Sequence, residues 1–585
     1  MSEGVCQEVN KFKLIISLVL ASTMLAPASF AGSKTWIPLS PQDTNPGFHS
    51  VAFIDKMPLP FEYSVLQAQS PEGMLICKST QDQYCSTGHT FDYNSILKVC
   101  ENGAESNCIS EVNLLDSTGK TTPAIFSKYT VKNHMNSYPG DSKLGIPAGS
   151  VPSIWSIPGA PHASGSDYAV IAGMNGRVDF AGNPTVIGSF LQVSLVPVVL
   201  KDFGTGVHSL SGGWTAPVDG IYYDACNQFQ QTATMKNANC WHVNQEDCFL
   251  PTNDQGKCFA EEPFKGSPRI NVQLRLAKEP NGWLHGRMVD PNVTIKQDSG
   301  GVTTLSVTAT TTEVPMVYYG ADWGSLSPAV QKYWVDCMQA GDVCGPDIIV
   351  HSLDAKPDFW IVGQTLEGQR LLNLNGFPYS FGKIALEGMA GITQLNGNRA
   401  GAMTSSWSFR TLSNREMNGA NNCFTSTPGI KGLVSTNSTT YSAGPPAFKD
   451  GALNYQVASA HFLPDGVTPF KGNYNLVMRS DVARCIYGFS KAPISASISV
   501  VSSEGSADVA TTVAAEKDGW IALSANNFQF SAPTIQVKFT QEPLASATVA
   551  PKPVAKQITI TCTKGKISKK VTAIKPTCPK GYVKK

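Results

Sequence analysis

The chain has 585 residues, of which 45 are Lys or Arg and 44 are Asp or Glu, giving a formal net charge of +1. Charged residues make up 15% of it, against about a quarter in an ordinary globular protein, while Gly (51) and Pro (38) are plentiful; this excludes a helical bundle or coiled coil and points to short strands joined by many turns. A chain of this length also exceeds what one hydrophobic core serves, so about three or four domains are expected.

Residues 1–31 read as an export signal. A polar stretch ends in Lys11 and Lys13, an apolar run follows from Leu14 to Leu25, and Pro27 precedes the small-residue site Ser29-Phe30-Ala31. The run is about a dozen residues, whereas a spanning helix needs roughly 20, so cleavage is expected rather than anchoring. No later stretch approaches spanning length, and the chain is expected not to be transmembrane.

The cysteines support that compartment. Of 15, Cys6 falls in the export signal, which leaves an even number. Local spacing suggests Cys77 with Cys85, Cys100 with Cys108, and Cys337 with Cys344, leaving Cys423 to pair with Cys485 over a longer loop and Cys562 with Cys578 near the C-terminus. Cys226, Cys240, Cys248 and Cys258 admit three pairings, of which the sequential one is favoured. There is no C-x-x-C pair, so a zinc framework is not expected, and His242, beside Cys240 and Trp241, reads as a surface histidine next to a disulfide.

In chain order, residues 32–200 form an N-terminal β region that opens Pro-rich, with buried strands at Asp167–Ile171 and Ser189–Leu200; Pro197 marks an edge or a break. Residues 201–345 are a Cys-rich β region. Within it Ile270, Val272, Leu274 and Leu276 alternate onto one face of a strand, and Val302–Val307 alternates less strictly. Trp283-Leu284-His285 reads as a strand with its aromatic in the core. One short helix is expected near 328–340, with Ser327 as N-cap, Pro328 at its first position and Val330, Trp334 and Cys337 on one face. Residues 346–543 return to strands, the last at Ile494–Val501, Gly519–Leu523 and Thr534–Thr540, and 544–556 are a Pro/Ala linker. Asn271–Leu276 and Asn473–Met478 also match at an offset of 202, each reading as strand, turn, short strand with Gly and then Pro, so a duplicated β unit stands beside chance punctuation. The fold class is therefore mostly β: several antiparallel β-sandwich-like domains with disulfide-stapled loops and one short helix.

Linear motifs for chemistry are absent. There is no H-E-x-x-H, no Gly-x-Ser-x-Gly, no Walker loop, no Rossmann fingerprint and no calcium loop, so no catalytic residue, metal or cofactor is assigned. A glycosidase needs only two carboxylates and leaves no such trace. The densest polar and aromatic stretch is 202–247, where Trp214, Tyr222, Tyr223, Asp224, Trp241 and His242 are the candidates to stack on and hydrogen-bond a glycan ligand. The plainer reading makes them a satellite core with solvated carboxylates.

The end of the chain differs in kind. Residues 552–585 hold ten lysines and no acid, so the preceding residues carry nine more acidic than basic groups. Residues 557–585 read as a basic strand-turn-strand around Lys564-Gly565, stapled by Cys562 and Cys578. Ile560–Lys566, Lys569–Ala573 and Lys575–Tyr582 resemble a C-terminal segment found on many otherwise unrelated secreted actinobacterial proteins, and the resemblance implies a shared envelope-related role for these roughly thirty residues alone. Gly282–Arg287 and Asp481–Gly488 look like stretches of uncharacterised secreted proteins of the same bacteria and imply no activity. Lys564, Lys566, Lys569, Lys570, Lys575, Lys580, Lys584 and Lys585 are thus expected to meet anionic cell-envelope polymers, and the compartment disfavours nucleic acid. The expectation is a secreted, envelope-associated protein whose body binds or builds rather than catalyses. A secreted glycan hydrolase with carboxylates in 202–247 is the alternative.

Overall fold

The structure is a computed structural model. It describes residues 48–53, 64–202, 249–322, 397–541 and 556–585, with short interruptions inside those ranges, and scattered positions between 328 and 393. The fold is mostly β, with mainly antiparallel sheets and disulfide-stapled loops. Contacts divide the chain into two compact units: residues up to 489 with 495–539, and residues 490–494 with 540–585.

The first unit is organised by one long sheet. Its strands run in the order Gly73–Ile76, Val65–Ser70, Thr90–Ile96, Asp167–Asp179, Thr185–Asp202, Ser408–Thr411, Gly282–Arg287, Ile430–Thr436, Lys471–Arg479, Trp520–Gln529 and Ala515–Lys517. Strands from each of the segments 32–200, 201–345 and 346–543 thus share hydrogen bonds in a single sheet, and Thr185–Asp202 itself crosses position 200. The pairing of Gly282–Arg287 with Ile430–Thr436 is parallel.

Alternation decides what each face meets, because successive strand residues point to opposite sides. Leu284, Phe409, Leu433 and Val477 of the long sheet pack in one core with Ile270, Val272, Leu274, Leu276, Leu305 and Val307 of a second sheet. That second sheet runs Val289–Gln297, Thr303–Thr310, Arg269–Leu276, Cys108–Leu115 and Lys98–Val99. The expected strand at 270–276 is therefore present, with its four apolar alternating residues buried.

The opposite face of the same central strands carries His285, Arg287, Arg410 and Tyr474. It is covered by a third sheet that includes Thr440–Tyr441 and Ala452–Ala458: Tyr441 stacks on His285 with ring centroids 4.0 Å apart, and Tyr455 meets Tyr474 at 5.5 Å.

Pro197 lies inside a strand, at a change of partner. Thr185–Asp202 pairs with Ser408–Thr411 at residues 192–194 and with Lys257–Glu261 at 198–202. The Pro197 carbonyl accepts from Glu262 N on that side, so the missing N–H points into the gap between two partners and no ladder bond is lost.

Cys77–Cys85, Cys100–Cys108, Cys423–Cys485 and Cys562–Cys578 are disulfides, as the spacing suggests. Cys258 is also disulfide-bonded. Cys226, Cys240, Cys248, Cys337 and Cys344 lie outside the described residues, as do the export signal and, apart from helical Pro328, the helix expected near 328–340.

The duplicated unit is not found. Asn271–Leu276 belongs to the second sheet and Asn473–Met478 to the long one. Where the first copy has the strand Gly282–Arg287, the second has the helix Ser480–Tyr487. Val482, Ala483 and Ile486 bury one side of that helix, Asp481 lies in its positive first turn, and Gly488 ends it at φ 66°, a left-handed conformation that a side chain disfavours. Cys485 then ties it to Cys423.

Candidate anion-binding surface

The C-terminal hairpin is built by alternation, a turn and a staple. Strand Ile558–Lys564 pairs antiparallel with Ile567–Ala573, and Val583–Lys584 adds on its other side. Lys564 faces Ile567 across a two-residue loop that opens on Gly565 at φ 60°, the position at which the primed hairpin turn needs glycine. The register puts Ile558, Ile560, Cys562, Lys564, Ile567, Lys569, Val571 and Lys584 on one face, and Thr559, Thr561, Thr563, Ser568, Lys570, Thr572 and Val583 on the other. Ile560 and Cys562 are buried, and Cys562 is bonded to Cys578, so the segment between Ile574 and Tyr582 folds over the first face.

All eight lysines expected at the envelope surface (564, 566, 569, 570, 575, 580, 584 and 585) are exposed. Among the described residues none of them is in an ion pair. Ile558, Ile567, Ile574 and Val583 are 57–72% exposed, so the hairpin presents apolar side chains beside its charge. Such a surface holds anions by summed attraction that salt screens over about 10 Å at 0.1 M.

The glycan-binding candidates Trp214, Tyr222, Tyr223, Asp224, Trp241 and His242 lie outside the described residues, as do the carboxylates of the hydrolase alternative apart from Asp202. Asp202 is exposed at the end of its strand.

Two polar constellations in the body have no linear signature. In the first, Arg410 donates to both carboxylate oxygens of Glu416, at 2.7 and 2.8 Å, with both side chains out of solvent. Arg287 donates to the carbonyls of Thr436 and Ser438, each at 2.7 Å, and lies over the Tyr441 ring at 4.7 Å. Burial pushes His285 well below its ordinary value, and the charges of Arg287 and Arg410 push it further, so the imidazole is neutral. Burial likewise holds Tyr455 and Tyr474 up as phenols. Enclosed between two sheets, the group cannot meet a polymeric substrate; its chemistry is that of an internal polar brace.

In the second, His162, Ser164 and Glu262 meet, but not in a nucleophile's order. Ser164 donates its hydroxyl to Glu262 Oε1 and its N–H to Oε2, while His162 Nδ1 is 2.6 Å from Oε2 and its Nε2 is 3.0 Å from the Asp167 carbonyl. The serine hydroxyl meets Glu262 and not His162, which lies on the other carboxylate oxygen, so the serine–histidine contact of a triad is not formed. The contacts clasp the loop before Asp167 to the segment after Lys257–Glu261.

Among the described residues no three His, Cys, Asp or Glu side chains gather as a metal site would need, and no helix is long and apolar enough to cross a membrane. The disulfides point to a non-cytoplasmic compartment. No protein-family description, curated protein or solved structure matches the chain.

Proposed function

We propose that this chain is an exported protein held at the cell envelope by its C-terminal hairpin, which binds anionic envelope polymers, while the β body serves a binding or structural role at the surface. The observation that carries the reading is the hairpin itself: eight exposed lysines, no acid, and a disulfide that fixes their arrangement. Each lysine near an anionic surface contributes about 1 kcal/mol, so several together give firm but salt-sensitive retention. The resemblance of this segment to the ends of other secreted proteins is consistent with an attachment role independent of the body.

The test is co-sedimentation of the full chain with isolated bacterial envelopes across a salt series, beside a full-chain variant with the eight lysines changed to Gln. Retention of the native chain, its release by salt, and weak retention of the variant are expected. Equal, salt-resistant sedimentation of both proteins would move recognition to the body and overturn the reading.

A further inference from the structure

We infer that the ligand face of the C-terminal hairpin is its hydroxyl face, the ladder of Thr559, Thr561, Thr563, Ser568 and Thr572 around Lys570, and that its ligand is an acidic polysaccharide rather than an anion of any kind. The inference rests on the anionic-polymer reading above and names the face and the polymer class.

The two faces of the hairpin are not equivalent. The face of Cys562 is partly closed: Cys562 and Ile560 are buried, and a Cβ at Gly581 would sit 3.4 Å from Lys564 Nζ, so the chain before the last strand lies across it. Among the described residues the other face carries no such cover; Thr559, Ser568, Lys570 and Thr572 are exposed on it, and Thr561 and Thr563 are half-buried.

That open face is unusually regular. Paired residues share a side, so the register sets Thr559 beside Thr572, Thr561 beside Lys570 and Thr563 beside Ser568. Rows along a strand repeat at about 6.8 Å and partners across it lie about 5 Å apart. The result is a comb of hydroxyls around Lys570, edged by exposed Val583 beside Thr563 and by Lys585, whose N–H donates to the Thr561 carbonyl. Thr559 and Thr572 hydroxyls meet at 2.7 Å, which uses one O–H of the pair and leaves the other with lone pairs for a ligand. Thr563 leans on the Val583 carbonyl at 3.4 Å.

Charge complementarity selects an anion, since ten lysines stand in residues 552–585 without one acid. Charge alone does not ask for hydroxyls, and the rest of the tail has charge in plenty. A repeating array of donors and acceptors beside a lysine matches a chain of sugars that offers hydroxyls at spacings of a few ångströms and an acid group at intervals. Lys570 meets the acid group and the threonines meet the sugar hydroxyls.

The experiment measures binding of the full chain to dextran sulfate and to polyphosphate, the second an anion without sugar. The native chain should prefer dextran sulfate. Lys570→Gln should weaken dextran sulfate binding about five-fold, and Lys569→Gln or Lys584→Gln, on the other face, by at most about two-fold. Changing Thr559, Thr561 and Thr572 together to Val, which suits a strand, should lower the preference for dextran sulfate over polyphosphate at least about five-fold, and Ser at the same positions should restore it. An unchanged preference in the Val variant, an equal loss in the Ser variant, or equal effects of Lys569→Gln and Lys570→Gln would each overturn the assignment while leaving anion binding in place. A chain with the eight lysines changed to Gln that binds dextran sulfate as the native chain does would remove the underlying reading as well.

Discussion

Arg410 and Glu416 form a two-pronged ion pair inside the protein, six residues apart in sequence and both out of solvent. Burial alone disfavours the charge on Arg410, and the Glu416 carboxylate more than offsets it, so the guanidinium stays charged. Glu416 Oε2 also accepts from Ser413 N and Oγ, each at 2.9 Å, so that oxygen takes three donors. Beside this pair lie His285, Arg287 and Tyr441, which join the long sheet to its cover.

Removing the negative member of that pair is expected to be costly. Glu416→Gln takes a counter-charge from a buried guanidinium, a change worth about 3–5 kcal/mol in comparable pairs. Urea unfolding should show this as a lower midpoint with the same slope. Changing both partners, Arg410→Met with Glu416→Leu, should cost much less than the single change. A single variant as stable as the native chain would mean that water reaches the pair.

Gly432 is fixed by close approach rather than by turn geometry. A Cβ there would lie 2.6 Å from the Trp283 ring and 2.6 Å from the Val477 carbonyl. The indole can shift but the carbonyl belongs to a paired strand, so Gly432→Ala is expected to cost about 1–3 kcal/mol. Gly451, whose added Cβ would meet nothing within 4 Å, is left-handed at φ 72°, so Gly451→Ala tests strain without crowding. Thermal unfolding of the two variants separates these causes: Gly432→Ala must lower the midpoint through its neighbours, and no change there would contradict the packing described.

What the sequence makes legible is local. Ile270, Val272, Leu274 and Leu276 betray a half-buried strand because only one face of it meets a core, and Lys564-Gly565 betrays the tail turn because few residues suit it. Short cysteine spacings yield their pairs for the same reason. The buried polar group is different. In Trp283-Leu284-His285-Gly286-Arg287 the polar residues alternate with apolar ones as they do on a solvent-facing strand, and only a distant segment changes that: Arg287 reaches the carbonyl of Thr436, 149 residues away. The helix Ser480–Tyr487 was hidden because its β-rich neighbours and Gly488 fit a strand and turn equally well, and its disulfide partner Cys423 is 62 residues distant.

Glu262 gives a pH dependence with a definite sign. Partial burial acts to raise its carboxyl, but donors from Ser164 and His162 outweigh this and hold it below the ordinary value of 4.5. A carboxyl lowered in the folded state adds stability above its unfolded value and loses it as pH falls through the folded one. The clasp should therefore be intact at neutral pH and weaken from about pH 5 downward. Amide protection across residues 157–166, the ratio of intrinsic to observed exchange rate at each pH, should fall in that range in the native chain. Glu262→Gln should already show low protection at pH 7 with little further change on acidification; a native chain whose protection is constant from pH 7 to 3 would contradict the assignment.

The Cys562–Cys578 bond separates the effect of charge from that of shape in the tail. Ile560 and Cys562 are the buried hydrophobic residues of the hairpin strands, a core far too small to hold three strands alone. Closing a loop with a sequence separation of 16 contributes about 3 kcal/mol by restricting the unfolded chain. Cys562→Ser with Cys578→Ser should therefore release the hairpin, seen as fast amide exchange throughout residues 558–573 and new proteolytic cuts at its lysines. Every lysine remains, so attraction to any polyanion should persist in low salt. Preference for an acidic polysaccharide over polyphosphate should vanish, because the hydroxyl ladder exists only while the strands are paired. Retained protection of residues 558–573 in this variant would show that pairing does not depend on the staple, and a retained preference without protection would show that the ladder is not what recognises the polymer.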